Sequence, residues 1–283
     1  MEYRFLKHES LERIYRCFIE AFSDYLVEMQ PSLEKFKRML RRNGVNLQFS
    51  MGAYDHETLV GFILNGTGSW KNMPTLYDSG TAMIRTFRGK SYTKMMFEIL
   101  RHEIIGTYST YLLEVIQENR PAYNLYHKQG FVIERELACF SIEKEKLPDS
   151  GEKREYSVLS PINVSWKILE SFWTSYPSWQ NSIPALKRIN TSLETIGVFT
   201  RDTCIGYGFF TAESGEIHQI AVRKDMRRRG IGTFLLNTIA SRVDSDILKV
   251  INVDRRDQET IRFFEYSGFI NDVNQYEMKL HLD

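Results

Sequence analysis

The chain has 283 residues, 42% of them hydrophobic and 26% charged, with a formal net charge of +1, and this length suits two ordinary cores better than one. So even a balance gives no basic field for nucleic acid and no acidic tail for a charged partner, and no apolar run reaches the ~18 residues a membrane helix needs. Cys17, Cys139 and Cys204 are odd in number and far apart, so they outline no disulfide framework or metal pair and read as reduced thiols of a cytoplasmic protein.

The opening MEYRFLKHES lacks the apolar core of a signal peptide. LERIYRCFIEAF and PSLEKFKRMLRRNG then read as helices, with Asn43-Gly44 ending the second. LQFSMGAYDHETLVGFILNG reads as two strands around a turn at Asp55–Glu57. From Asp78 to Phe140 the pattern is strand, tight loop, helix, strand, helix, strand. The polar segment 143–155 is the expected linker. It divides the chain into domains of residues 1–148 and 149–283, with the boundary near Gly151. In the second half NVSWKILESFW is a helix candidate, and SLETIGVFTRDTCIGYGFF gives two strands around Arg201–Thr203. Ile217, Ile220 and Val222 suit a further strand, and Gly230 to Gly232 open a helix carrying Phe234, Leu235, Ile239 and Val243. Leu248 to Val253 is short and β-branched, Asp257 can cap the next helix, and Gly268 can end it.

The second half repeats the first. Arg227 stands 139 residues after Arg88, and Gly268 stands 138 after Gly130. A drift of one residue is what two copies of one supersecondary unit show.

The run Arg227-Arg228-Arg229-Gly230-Ile231-Gly232 falls between a strand and a helix. Glycine lets a backbone approach a ligand closely. Free amides and the dipole at a helix start favour a diphosphate, and arginine pairs with phosphate. Together with the downstream helix ending in Gly-Phe, this pattern resembles the GNAT superfamily of N-acetyltransferases, in two copies that cover most of the chain. The resemblance implies an α/β fold of two domains, each a mixed, mostly antiparallel sheet flanked by helices, with two splayed central strands holding acetyl-CoA. It implies that Ile220 and Val222 offer backbone groups to the pantetheine arm. It assigns the pyrophosphate to Arg227, Arg228, Arg229, Gly230, Ile231, Gly232 and Thr233. The first copy has Met83 on its strand and Arg88, Gly89, Lys90, Ser91, Tyr92 and Thr93 on its loop, with Ser91 and Thr93 where the family has glycine.

The family's helix pattern is met in the first copy by Asn119, Ala122, Leu125, Tyr126, Lys128, Gly130 and Phe131. By resemblance Asn119 bonds the pantetheine arm, and Tyr126, beside the sulfur, protonates the departing thiolate. A phenol of pKa near ~10 carries its proton at neutral pH. The second copy has Asp257 and Phe264 at these places. The first copy therefore keeps the acid and the second keeps the loop. The first is expected to be catalytic; the counter-reading is an active second copy that uses water as the acid. Candidate bases are Asp78 and Glu114, with Glu216 near the matching place in the second copy. The implied function is acetyl transfer from acetyl-CoA to a primary amine of a small molecule or peptide. No metal, nucleic acid or membrane is expected, and the protein is expected to be a monomer or homodimer. The alternatives are a non-catalytic CoA-binding module, and an active C-terminal domain on a structural N-terminal one. The resemblance would place Tyr25 and Met29 at the acceptor pocket, but they read first as helix-end packing. Trp173, Tyr176 and Trp179 suit either the lining of a cleft or a face buried between the domains, and the second is expected.

Overall fold

The computed structural model describes residues 1–149 and 156–282. They form two compact units. The first comprises Met1–Glu134 and residues 276–282, and the second comprises Arg135–Gln275.

Unit 1 runs β1 (Glu2–Phe5), α1 (Leu11–Ala21), α2 (Leu33–Asn43), β2 (Met51–Asp55), β3 (Thr58–Trp70), β4 (Met73–Met83), α3 (Tyr92–Ile104), β5 (Thr110–Ile116) and α4 (Arg120–Lys128). Side chains start both early helices, Ser10 accepting from the Arg13 amide and Ser32 from the Lys35 amide. Gly44, left-handed at φ 69°, ends α2. The hairpin β2–β3 turns where the sequence places it, and β1–β2, β2–β3 and β3–β4 pair antiparallel. β4 and β5 are parallel and paired only from Thr75–Asp78 to Thr110–Leu113. Beyond Asp78 they part.

Unit 2 repeats this plan with β6 (Val132–Glu143), β7 (Ser157–Leu159), α5 (Trp166–Glu170), α6 (Ile183–Arg188), β8 (Glu194–Thr200), β9 (Thr203–Thr211), β10 (Glu216–Val222), α7 (Ile231–Ala240), β11 (Ile247–Asp254) and α8 (Gln258–Tyr266). Here the parallel pair β10–β11 meets at Glu216 and Lys249 alone before it splays. The helix expected over 163–173 shrinks to five residues, and α6 was not expected. One face of this sheet packs Leu235, Ile239 and Phe264 of α7 and α8, while Phe172, Leu186 and Tyr207 pack on the other.

The expected cut at 148/149 does not separate the units. β6 precedes it yet pairs with β11 from Leu137 to Glu143. The end of β12 (Ile270–His281) returns to unit 1. Ala138, Phe140 and Ile142 fill the core of unit 2, whereas Met278 and Leu282 fill that of unit 1. Alternation along a strand shows that one face is buried, but not which core takes it. Gly151 lies outside the described residues.

Candidate functional site

The two phosphate-type loops have one backbone conformation. In unit 1 the left-handed residues are Gly89 (φ 75°) and Ser91 (φ 62°); in unit 2 they are Arg228 (φ 60°) and Gly230 (φ 75°). Ser91 and Gly230 then stand at the N-termini of α3 and α7, neither giving a side-chain cap to the helix. The first amides of each helix, those of Tyr92 and Thr93 or of Ile231, Gly232 and Thr233, start with no residue of their own helix to bond. Lys90 and Arg229 hold equivalent places between the left-handed pairs.

The leading arginines serve the fold. Arg88 donates through Nε to the Met83 carbonyl (2.9 Å), and through its Nη atoms to the Ala21 carbonyl (2.8 Å) and the Asp24 carboxylate (2.7 and 2.9 Å). Arg227 donates likewise to the carbonyls of Val222 (3.2 Å) and Phe172 (2.7 Å) and pairs with Glu259. Each guanidinium ties its loop to the end of the central strand and to the segment that covers it. Gly232 also has a packing reason: a Cβ there would stand 2.7 Å from the Phe263 ring. The matching pair in unit 1 is Thr93 with the smaller Leu125.

Asn119 and Asp257 are both helix caps. Asn119 Oδ1 accepts from the Ala122 amide (3.2 Å), and its Nδ2 donates to the Tyr25 hydroxyl (3.4 Å). Asp257 accepts from the Thr260 amide (3.0 Å) and hydroxyl (2.8 Å).

Where β4 and β5 part, unit 1 has a buried polar knot. Asp78 accepts from the Gly80 amide (2.9 Å) and the Thr81 hydroxyl (2.7 Å), and the buried Tyr126 phenol lies beside both. Burial pushes the Asp78 carboxyl up to about 6, against the pull of the Thr81, Gly80 and Tyr126 hydrogen bonds. Burial and the nearby Asp78 charge hold the Tyr126 phenol well above its ordinary value. Around it Phe97 and Phe131 close edge-on at 5.9 and 5.7 Å. Asp78 and Tyr126 are thus brought together, with Asp78 already held by the Gly80 amide and the Thr81 hydroxyl. Glu114 lies apart from them and accepts from the Tyr77 hydroxyl.

In unit 2 the same two positions are Ile217 and Phe264, both in the apolar core. The splay opens into a cavity of about 860 Å³. Ile220, Val222, Arg227, Arg228, Gly230, Ile231, Gly232 and Thr233 line it, which gathers nearly the whole predicted loop and strand set in one place. The edge of β10 beyond Glu216 has no strand pairing to β11, so its backbone groups face this space. Arg229 is exposed beside it.

The opposite wall takes the less favoured of the two readings of its aromatic residues. Trp173 and Tyr176 line the cavity, in contrast to the face expected between domains, while Trp179 is buried. A chain of hydrogen bonds crosses the gap between the splayed strands. Trp173 Nε1 donates to the Tyr207 hydroxyl (2.6 Å), which donates to Gln219 Oε1 (2.9 Å). Gln219 Nε2 donates to the Asn181 carbonyl (2.6 Å), and Asn181 Nδ2 donates to the Ile251 carbonyl (2.9 Å). Deeper, Asp254 is paired with the buried Arg135 (3.1 Å) and with Arg256 (2.7 Å). Burial pushes its carboxyl up, but the bonds from Arg256 and Arg135 prevail and hold it below the usual range. The available signal was the set of polar residues within β-branched or aromatic runs, Asn252 in LKVINVD and Asn181 in PSWQNS. Among the described residues no group of three His, Cys, Asp or Glu side chains is placed to hold a metal ion, and no helix is long and apolar enough to cross a membrane.

The model of the acetyltransferase (GNAT) family matches residues 9–131 and again 163–269. No curated protein matches the sequence. Among solved structures, a tandem GNAT protein from the clavulanic acid biosynthesis pathway superposes with a TM-score of 0.72 at 12% identity, covering 100% of this chain and 98% of its own. A Pyrococcus horikoshii protein assigned as an acetyltransferase gives 0.71 at 13%, covering 100% and 89%. A GCN5-related N-acetyltransferase from Sphaerobacter thermophilus gives 0.68 at 14%, covering 95% and 92%. At these identities the likeness is one of fold.

Proposed function

Since the chain belongs to the GNAT acetyltransferase family, with a match in each half, we propose that it transfers an acetyl group from acetyl-CoA to a primary amine of a small molecule or peptide, and that the cleft of unit 2 does so. The observation that carries this reading is the coincidence of the 860 Å³ cavity with the loop 227–232 and the free edge of β10. In unit 1 the equivalent positions carry Asp78 and Tyr126, a buried polar pair in place of Ile217 and Phe264. This favours an active second domain and gives the first a structural role.

The residues fit the ligand. The amides at the start of α7 and the exposed Arg228 and Arg229 suit a pyrophosphate. The edge of β10 between Gln219 and Val222 suits an amide-bearing arm. Bound acetyl-CoA supplies the activated thioester. The carbon–nitrogen bond forms as the carbon–sulfur bond breaks, and the amine proton leaves to water. Phe264 offers no proton, so water in the open cleft protonates the thiolate. The three cysteines are free and buried, which suits a reducing, cytoplasmic setting, and the protein is taken to act as a monomer or homodimer.

Calorimetry with acetyl-CoA tests the reading. Binding in the micromolar range is expected, and no binding at millimolar ligand overturns it. Binding without amine-dependent thiol release would instead make the protein a CoA-binding module.

A further inference from the structure

Besides His218 Nδ1, which lies 3.5 Å from the Glu216 carboxylate, three polar atoms of residues lining the unit 2 cavity have no hydrogen-bond partner among the described residues: Ser178 Oγ, Asn181 Oδ1 and Asn252 Nδ2. Their residues are 0%, 5% and 4% exposed. A buried polar group left unpaired is costly, so three around one cavity require an explanation.

The orientation of each amide follows from its other half. Asn181 Nδ2 is committed to the Ile251 carbonyl, which can only accept, so Oδ1 is the free end. Asn252 Oδ1 accepts from Gln275 Nε2 at 2.9 Å, which leaves Nδ2 as the free end in this arrangement of the two amides. Asn252 also holds a left-handed φ of 61°, an unusual conformation within a strand, at the register shift of β11. The wall thus offers one fixed acceptor at Asn181, the amide of Asn252 with its donor end free, and one hydroxyl that can do either.

Neighbouring charge narrows the choice. Asp254 is neutralised by Arg135 and Arg256, so it holds no spare charge for a second cation. An anion would meet the Asn181 carbonyl oxygen. A neutral group answers all three atoms, and a hydroxyl does so best because one oxygen both donates and accepts. At the lip, Trp173 and Tyr176 meet edge to face at 5.8 Å, with Tyr176 40% exposed. Such rings offer an apolar face to the C–H side of a hydroxylated ring.

We propose that Ser178, Asn181 and Asn252 form an acceptor subsite for a polyhydroxylated amine, of the amino-sugar class, with Trp173 and Tyr176 as its aromatic lip. The subsite rests on the reading of unit 2 as the acetyl-transfer cleft, and names its acceptor.

The probes are glucosamine and cyclohexylamine, two ring amines that differ in their hydroxyls. Binding of each to the full chain is followed by saturation-transfer NMR, and turnover by thiol release from acetyl-CoA. Glucosamine is expected to bind at least tenfold more tightly. Ser178→Ala removes an unpartnered hydroxyl, so the variant folds, and it should cut the ratio of the two constants about fivefold. Asn252→Gly, which suits the left-handed backbone, should cut it further. Equal binding of the two amines, or a ratio that neither substitution changes, overturns the subsite. Glucosamine preference without acetyl-CoA binding would keep the subsite and reject the transferase reading; acetyl-CoA turnover without preference would do the reverse.

Discussion

The loops at 88–93 and 227–232 put left-handed residues at the same two places, but the glycine has changed position between them. Unit 1 has Gly89 followed by Ser91, and unit 2 has Arg228 followed by Gly230. A non-glycine residue in this conformation costs on the order of 1 kcal/mol, and each loop accepts that cost once. The conformation is therefore set by the strand–loop–helix geometry and by the arginine that ties it down, rather than by where the glycines fall. What separates the units lies on the floor of the splay. In unit 1 a buried carboxyl and a buried phenol lie side by side. In unit 2 an isoleucine and a phenylalanine join the core, and the polar groups are carried on the other face of the sheet, around an open cavity.

The largest test of this difference is a titration. Because the folded pKa of Asp78 is raised, to about 6, its contribution to stability is fully present below the unfolded value and is lost as pH rises through the folded one. Asp78→Asn cannot accept both the Gly80 amide and the Thr81 hydroxyl, so it is the less stable protein in acid. Its deficit should shrink by up to about 3 kcal/mol between about pH 4 and pH 7, read by urea unfolding of the pair. A deficit independent of pH would mean that Asp78 does not titrate above its ordinary value in the folded protein. A smaller effect sharpens the contrast in ligand binding. Arg228→Glu places an anion beside the cavity and should weaken acetyl-CoA at least tenfold, about 1.4 kcal/mol. Lys90→Glu, on the matching loop of unit 1, should change it less than about twofold. Equal losses would return the first unit to the catalytic role.

The repeat, the order of elements around each loop, and the hairpin turns were legible because they rest on local signals: helix periodicity, a Ser cap, a left-handed glycine after α2. The loop and strand residues of unit 2 were legible as a set, since a strand–loop–helix motif brings its own residues together. The exchange of β6 and β12 between the cores was not, because apolar alternation is the same whichever core receives it. Nor was the closure of Tyr126, since the motif gives a tyrosine its place but not the proton state of Asp78, 48 positions earlier, that faces it. The acceptor wall was hidden for a similar reason. Ser178, Asn181 and Asn252 come from separate segments, and only the splay between β10 and β11 makes them neighbours of one cavity.

The smallest expected effect bears most directly on the exchanged glycines. Ser91 is exposed, left-handed, and gives no cap to α3, so its side chain brings strain without a compensating bond. Ser91→Gly removes that strain but frees the unfolded chain, and the two terms oppose each other. Relief of a left-handed non-glycine residue is the larger, so the variant should be more stable by roughly 0.5 kcal/mol, seen as a small rise in the denaturant midpoint with an unchanged slope. Acetyl-CoA affinity should not move, because a second glycine restores only the family pattern, and Asp78 and Tyr126 remain beneath it. If Ser91→Gly instead raised acetyl-CoA affinity, the loop rather than the floor would be what distinguishes the two units.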